Sequence, residues 1–342
     1  MSSSFHQEAG CKLQTDWLLS NMPVVFLENK WLKIGILMGR GSDIFEFTYK
    51  KESLNLMLRL DKPIHNPREY ISQRRDTLNQ FEDYYYGGWQ EILPNSQPFM
   101  YRGASLGQHG EVWLNAWQYA ILNNTDSEIS IKCWNRPLRV PLLIEKILTI
   151  KKGEPTLFIE EVLTNESAVD FSYMWGHHIA FGLPFLQNGS HITTNAQHFE
   201  AEPLMPDKRR FSPGKQFTWP LGLDLEGNLS DASQVPPAND FPYSELLYLS
   251  GFQKNAYYII SDAEKKVSFR LDWNEDDFPY IWFWQERYGI QDAPWWGKTY
   301  SIALEPWTNK WSATPEVDMV KHHWPVLKPF ESKTTSLKAS VF

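Results

Sequence analysis

The 342-residue chain is 42% hydrophobic and 22% charged, the balance of a globular protein with a large buried core. Its net charge of −8 and pI near 5.6 exclude the strongly basic surface that a nucleic-acid partner requires. Cys11 and Cys133 are too few for a disulfide framework and have no CxxC spacing, so neither a disulfide scaffold nor a cysteine-based metal site is expected. Gln7, Glu8, Lys12, Gln14 and Asp16 interrupt any apolar leader, and no run approaches the roughly 18 apolar residues of a membrane span. A soluble protein of a reducing cytoplasm is the expectation, with no membrane partner.

In chain order, residues 16–27 and 66–78 offer short helical patterns. From about residue 24 to residue 307, alternating apolar and polar residues broken by Gly, Pro, Asn and Asp predict an all-β chain. Residues 127–134 read as one strand, and 142–150 with 156–163 as a hairpin. Residues 169–174 are strand-like and lead into a pair of histidines. Seven prolines between residues 202 and 242 predict a long surface excursion rather than sheet. A second hairpin joins 255–261 to 266–273. Two further strands, 279–284 and 299–304, follow, the last delivering Glu305 to a strand end against Pro306. The polar tail after Pro329 reads as frayed or loosely docked. With no internal repeat, residues 1–342 are expected to form a single β-domain.

Three stretches carry groups capable of proton transfer: His109-Gly110-Glu111-Val112-Trp113, Trp175-Gly176-His177-His178 and Ala303-Leu304-Glu305-Pro306. Adjacent histidines on a strand point to opposite faces, so only one of His177 and His178 enters a given cleft. No third metal ligand stands at a recognisable spacing from them, and no metal is expected. Gly107 and Gly110 suggest a turn that exposes His109. A carboxylate placed like Glu305 is partly desolvated, which makes it a better base near neutral pH. The bland alternatives are core histidines and a strand-end Glu paired with a surface Lys. The aromatic share of 15%, with 16 Trp, 15 Tyr and 20 Phe, supplies rings on which a pyranose could stack. Glu91, in Gly87-Gly88-Trp89-Gln90-Glu91-Ile92-Leu93-Pro94-Asn95, is a further acidic group, and residues 274–277 read as a solvated turn.

In order along the chain, residues 88–95, His109-Gly110 with Trp113, the His178 region and Leu304-Glu305-Pro306 resemble the landmarks of the aldose 1-epimerase family, the galactose mutarotases. The resemblance spans about residues 87–306 and implies a large antiparallel β-supersandwich in a divergent bacterial-type member. It implies that His109 matches the family's first histidine. His178 opens its His-x-x-Phe turn, with His177 where the family usually has Asn, and Glu305 matches its base. The family's early Asn-Arg pair is not found at its usual place; Arg74, Arg75 and Arg102 are the candidates, and Asp272 or Asp277 for its sugar-binding Asp. Trp175, Trp284 and Trp296 are expected as stacking platforms, and His177, Glu91, Asn95, Arg102, Asp272 and Arg287 as polar substrate contacts.

The implied reaction interconverts the anomers of an aldose without a cofactor. Glu305 removes the proton of the anomeric hydroxyl while His178, entering protonated, donates to the ring oxygen and His109 orients it. Two alternatives stay open: a glycoside hydrolase or lyase using Glu91 and Glu305, and a non-catalytic sugar-binding protein. Arg287, Trp295, Trp296 and Lys298 are a candidate receptor for an anionic substituent, or equally a surface pairing site. The expected partner is a small sugar, and the chain is expected to act as a monomer or homodimer.

Overall fold

The structure, a computed structural model, describes residues 10–69, 80–186, 189–206, 208–235, 242–264 and 266–342. Arg74, Arg75, Pro236-Pro237 and most of the helical pattern at 66–78 lie outside these. The described residues form almost entirely antiparallel sheet, with short helices at Phe81–Tyr84 and Pro315–Val320. The all-β expectation holds.

A twelve-stranded sheet runs, from one edge, through Lys12–Leu19, Met22–Glu28, Leu32–Leu37, Asp43–Tyr49, Trp89–Ile92, Gly176–Gly182, Tyr300–Trp307, Tyr280–Arg287, Tyr243–Ser250, His198–Ala201 and Gln216–Thr218, with Leu54–Asn55 attached beside Asp43–Tyr49. An eight-stranded sheet runs through His191–Thr194, Ala256–Ser261, Ser268–Trp273, Ser332–Val341, Thr156–Asn165, Leu142–Lys151, Glu128–Asn135 and Gln118–Asn124. Leu142–Lys151 alternates strictly between buried and half-buried positions, as a strand with one face on the core requires. Tyr300–Trp307 is buried at every position, because both of its faces are covered and strands lie on both sides of it. Between the sheets, Phe47, Phe181, Tyr258 and Phe269 meet edge to face, with Phe181 and Phe269 5.1 Å apart.

Five elements differ from the sequence reading. Residues 16–27 are not helical: Ser20 and Asn21, at φ 50° and 58°, turn the chain between two paired strands, and left-handed residues at both positions are what a tight hairpin needs. The Pro-rich excursion contains sheet after all, since Gln216–Thr218 pairs with His198–Ala201 and Leu221–Leu223 with Leu229–Asp231. Of residues 169–174, only Phe171–Ser172 is strand. The tail is not frayed: Ser332–Val341 sits inside the eight-stranded sheet, burying Thr335, Leu337, Ala339 and Val341 beneath an outer row of Lys, Thr and Ser. Its solvated face dominates its composition and hides the inward one. The turn at 274–277 is only partly solvated, because Asp277 is buried against Thr335 and Lys333. No helix among the described residues is long and apolar enough to cross a membrane.

Candidate active site

The site forms at the centre of the twelve-stranded sheet. Pairing of Gly176 with Trp307 and of Ala180 with Ala303 brackets His178 and Glu305 directly opposite each other on neighbouring strands. Directly opposed residues share a face, and His178 Nε2 stands 3.5 Å from Glu305 Oε1. Glu305 does not end its strand, as its position before Pro306 suggested; the strand continues to Trp307, which pairs with both neighbours. The indole N–H of Trp307 donates to Glu305 Oε2 at 2.9 Å, and Trp307 itself stacks on Trp282, 4.4 Å between centroids. Gly176 leaves the room for this ring, because a Cβ there would come within 2.2 Å of it.

His109 reaches the same place from a loop. It has φ +63° and is followed by Gly110 at +66°, where a Cβ would lie 1.9 Å from the Leu93 carbonyl oxygen, so only glycine fits. Asn95 ties this loop down by donating to the carbonyls of Gln97 and Gly107, and the His109 amide donates to the Ser96 carbonyl at 2.7 Å. The His109 ring meets Phe81 edge-on at 4.4 Å and lies 5.7 Å from the His178 ring. Tyr85 touches His178 from the short helix side at 5.0 Å.

His109, His178 and Glu305 line one cavity of about 330 Å³, walled by Phe81, Tyr85, Trp282, Trp284, Trp295 and Trp311. That size and aromatic wall suit a small ring with one apolar face. Nδ1 of both histidines is buried away from solvent, without a side-chain partner among the described residues. Burial pushes Glu305 up to about 8, with the Trp307 N–H opposing, and pushes His178 down to about 4. Burial, and then His178, hold His109 well below the ordinary histidine value. At neutral pH the His178–Glu305 pair therefore carries one proton, and it rests on the carboxyl. The expectation that His178 enters protonated is corrected: among the described residues, no cation or fixed carboxylate offsets the cost of charging a buried imidazole.

The other expected contacts divide. Trp284 is in the cavity wall, joined on the same face of its strand by Trp282 and Glu286. Arg287, the next residue, faces away, buried against Tyr243 and Tyr300. Trp296 is 64% exposed and leaves the wall to Trp295. With Arg287 turned away and Lys298 exposed outside the lining, the proposed anion receptor is not assembled. Arg102 lies on an exposed hairpin beside Tyr101, donating to the Asp170 carbonyl. Asp272 forms an ion pair with Arg270 on the eight-stranded sheet. Asn95 supports the His109 loop without lining the cavity.

His177, Trp175 and Glu91 lie behind the sheet, in the interior of the sandwich. Glu91 pairs across from His177, accepts from the Trp175 indole, and stands 3.7 Å from Lys146 Nζ. Trp89 donates to His177 Nδ1 at 3.2 Å, leaving Nε2 to face Glu161 Oε2 at 3.1 Å. Burial, reinforced by Glu161, pushes Glu91 up to about 7. Contrary to the sequence reading, His177 has neighbouring ligand groups: one atom each from Glu91, Glu161 and His177 lie within 4.8 Å of one another. The carboxylates come from strands far apart in sequence, so no spacing announced them. Lys146 already supplies a cation to this group from inside.

Sequence reasoning passed over Glu286, Phe81, Tyr85 and Trp311. Glu286 was legible, since it continues the alternate-residue face begun by Trp282 and Trp284. It accepts from Ser244 Oγ and from the Gly289 and Ile290 amides.

Residues 20–210 match a family described only as a domain of unknown function, DUF4432. The chain belongs to that family. Comparison with curated proteins finds no match. Among solved structures, a Klebsiella pneumoniae protein described as a candidate aldose 1-epimerase superposes with TM-score 0.73 at 13% identity, over 97% of this chain and 83% of that one. A galactose mutarotase-like protein from Clostridium acetobutylicum gives 0.63 at 14%, over 97% and 99%. A galactose mutarotase related enzyme from Lactobacillus acidophilus gives 0.60 at 15%, over 93% and 97%. This DUF4432 chain thus has the galactose mutarotase-like sandwich fold that its ordered landmarks implied.

Proposed function

We propose that this protein is a cofactor-independent aldose 1-epimerase, interconverting the α and β anomers of an aldose or modified aldose. The observation that carries the reading is the opposed His178–Glu305 pair, 3.5 Å apart in an aromatic-walled cavity of sugar size. Anomer exchange requires removing a proton from the anomeric hydroxyl and supplying one to the ring oxygen, then the reverse after rotation about the C1–C2 bond. A pair that holds one proton meets both demands. Transfer of that proton from Glu305 to His178 Nε2 on substrate entry creates the carboxylate and the imidazolium together. Glu305 then takes the anomeric proton and His178 protonates the ring oxygen, while His109, held below its ordinary value by burial, lines the same cavity and orients the ring. Trp282, Trp284 and Trp295 hold the apolar sugar face.

The hydrolase reading loses its proposed pair, because Glu91 is spent on Trp175 and Lys146 on the opposite face of the sheet. Glu286 does not replace it, because its carboxylate is engaged by Ser244 Oγ and the Gly289 and Ile290 amides. The same proposal places a monomer or homodimer in a reducing cytoplasm, with Cys11 and Cys133 unpaired. NMR exchange spectroscopy across neutral and acidic aldoses, with Glu305→Gln and His178→Asn beside the wild type, tests the activity. Accelerated exchange lost in both variants supports it; sugar binding without acceleration would replace it with a sensor role.

A further inference from the structure

The strand that carries Glu305 runs on, past Trp307, into a second and more open depression. Rings of Tyr280, Trp311 and Trp324 floor it, and Asn309, Asp318 and His323 stand among them. Trp311 belongs to both places, lining the catalytic cavity on one side and this groove on the other. The groove's polar groups are fixed by neighbours. His323 Nδ1 meets Asp318 at 3.0 Å, Ser312 donates to the same carboxylate, and Lys310 is held by Glu200 above the rings of Tyr248 and Tyr280. One group is not satisfied: the buried Oδ1 of Asn309 has no hydrogen-bond donor among the described residues, while the residue's own carbonyl accepts from Trp282 at 2.8 Å. A buried amide oxygen without a donor costs free energy unless a ligand supplies one.

We propose that this groove is a second sugar-ring subsite, and that the preferred substrate is a disaccharide or longer saccharide with a free reducing end. The inference rests on the epimerase reading for its orientation. With the anomeric carbon of the reacting ring at Glu305 and His178, Trp311, which lines both places, is where a substituent on that ring would pass into the groove. A second pyranose there stacks on Trp311 and Tyr280 and donates a hydroxyl to Asn309 Oδ1. Aromatic rings beside hydroxyl-matching polar groups are the chemistry a sugar ring needs, and they begin at Trp311, where the groove meets the catalytic cavity.

Titration calorimetry with glucose, galactose, cellobiose, maltose and lactose, alongside NMR anomer exchange of the same sugars, tests this. At least one disaccharide should bind about tenfold or more tightly than its reducing-end monosaccharide, the equivalent of about 1.4 kcal/mol. Ala313→Trp, which fills the groove from its rim, and Asn309→Ala, which removes the acceptor, should each bring that ratio toward one. Equal affinity for both sugar lengths, no binding of any of them, or a disaccharide preference unmoved by both variants overturns the subsite. Should the wild type prefer a disaccharide through Asn309 yet accelerate no exchange, the subsite stands and the epimerase activity falls.

Discussion

His178 and His177 are neighbours on one strand, each within 4 Å of a glutamate, and they have opposite fates. His178 faces a cavity, and its pair with Glu305 has one proton and no cation among the described residues. His177 faces the sandwich interior, where Glu91 and Glu161 are answered by Lys146, and Trp89 donates to one ring nitrogen. Burial lowers His177, but Glu161 and Glu91 outweigh it and hold the imidazole above its ordinary value, while burial and Glu161 push Glu91 up to about 7. The same two residue types thus line a cavity in one place and pack into the buried interior in the other. Access to the cavity, not which residues are present, separates the two.

The sharpest way to break this comparison is Glu305→Gln, which should lower anomer exchange by about a hundred to ten thousand fold while the urea midpoint stays near that of the wild type. An equally large loss of stability would mean that the front pair is structural too. Behind the sheet, Lys146→Met removes the lysine that answers the interior carboxylates and should cost about 3–5 kcal/mol above pH 7, because a buried charge is left uncompensated. Adding Glu161→Gln should recover part of it in denaturant titrations.

The two faces also differ in pH dependence. The single-proton state of the front pair predicts a bell-shaped kcat/KM with limbs near pH 4 and pH 8, whichever partner holds the proton. Trp307→Phe removes the N–H that stabilises the Glu305 carboxylate and should move the alkaline limb upward. In stability terms, Glu91 is raised above its ordinary 4.5 to about 7, so its contribution is fully present below pH 4.5 and is lost as pH rises through 7. Glu91→Gln should flatten that part of the pH–stability curve. The smallest effect belongs to Trp296→Ala: an exposed ring outside the wall should change stability by less than about 0.5 kcal/mol and leave exchange untouched.

Much of the front face is legible in sequence because it obeys local rules. Alternation along the strand by itself separates His177 from His178, and Gly110 marks the turn that presents His109. The back face is not legible. Glu91 meets His177 across one sheet and Lys146 meets Glu161 across the other, and stacking of the sheets brings the two pairs together. Arg287 and Trp296 mislead for a related reason. A one-residue step along a strand reverses the face, and proximity in sequence to Glu305 says nothing about which face that is.

Ser332–Val341 lies between Thr156–Asn165 and Ser268–Trp273, joining strands that precede it by many residues. It therefore works as a clasp: until it docks, the halves of the eight-stranded sheet present two open edges to each other, each a template for foreign strands. A chain cut after Pro329 should self-associate in light-scattering experiments, and a synthetic peptide of residues 332–341 should suppress this by filling the gap. For anyone handling the protein, the implication is practical: a fusion or cleavage near this strand interferes with closing the whole sandwich, although the composition there reads as a disposable tail.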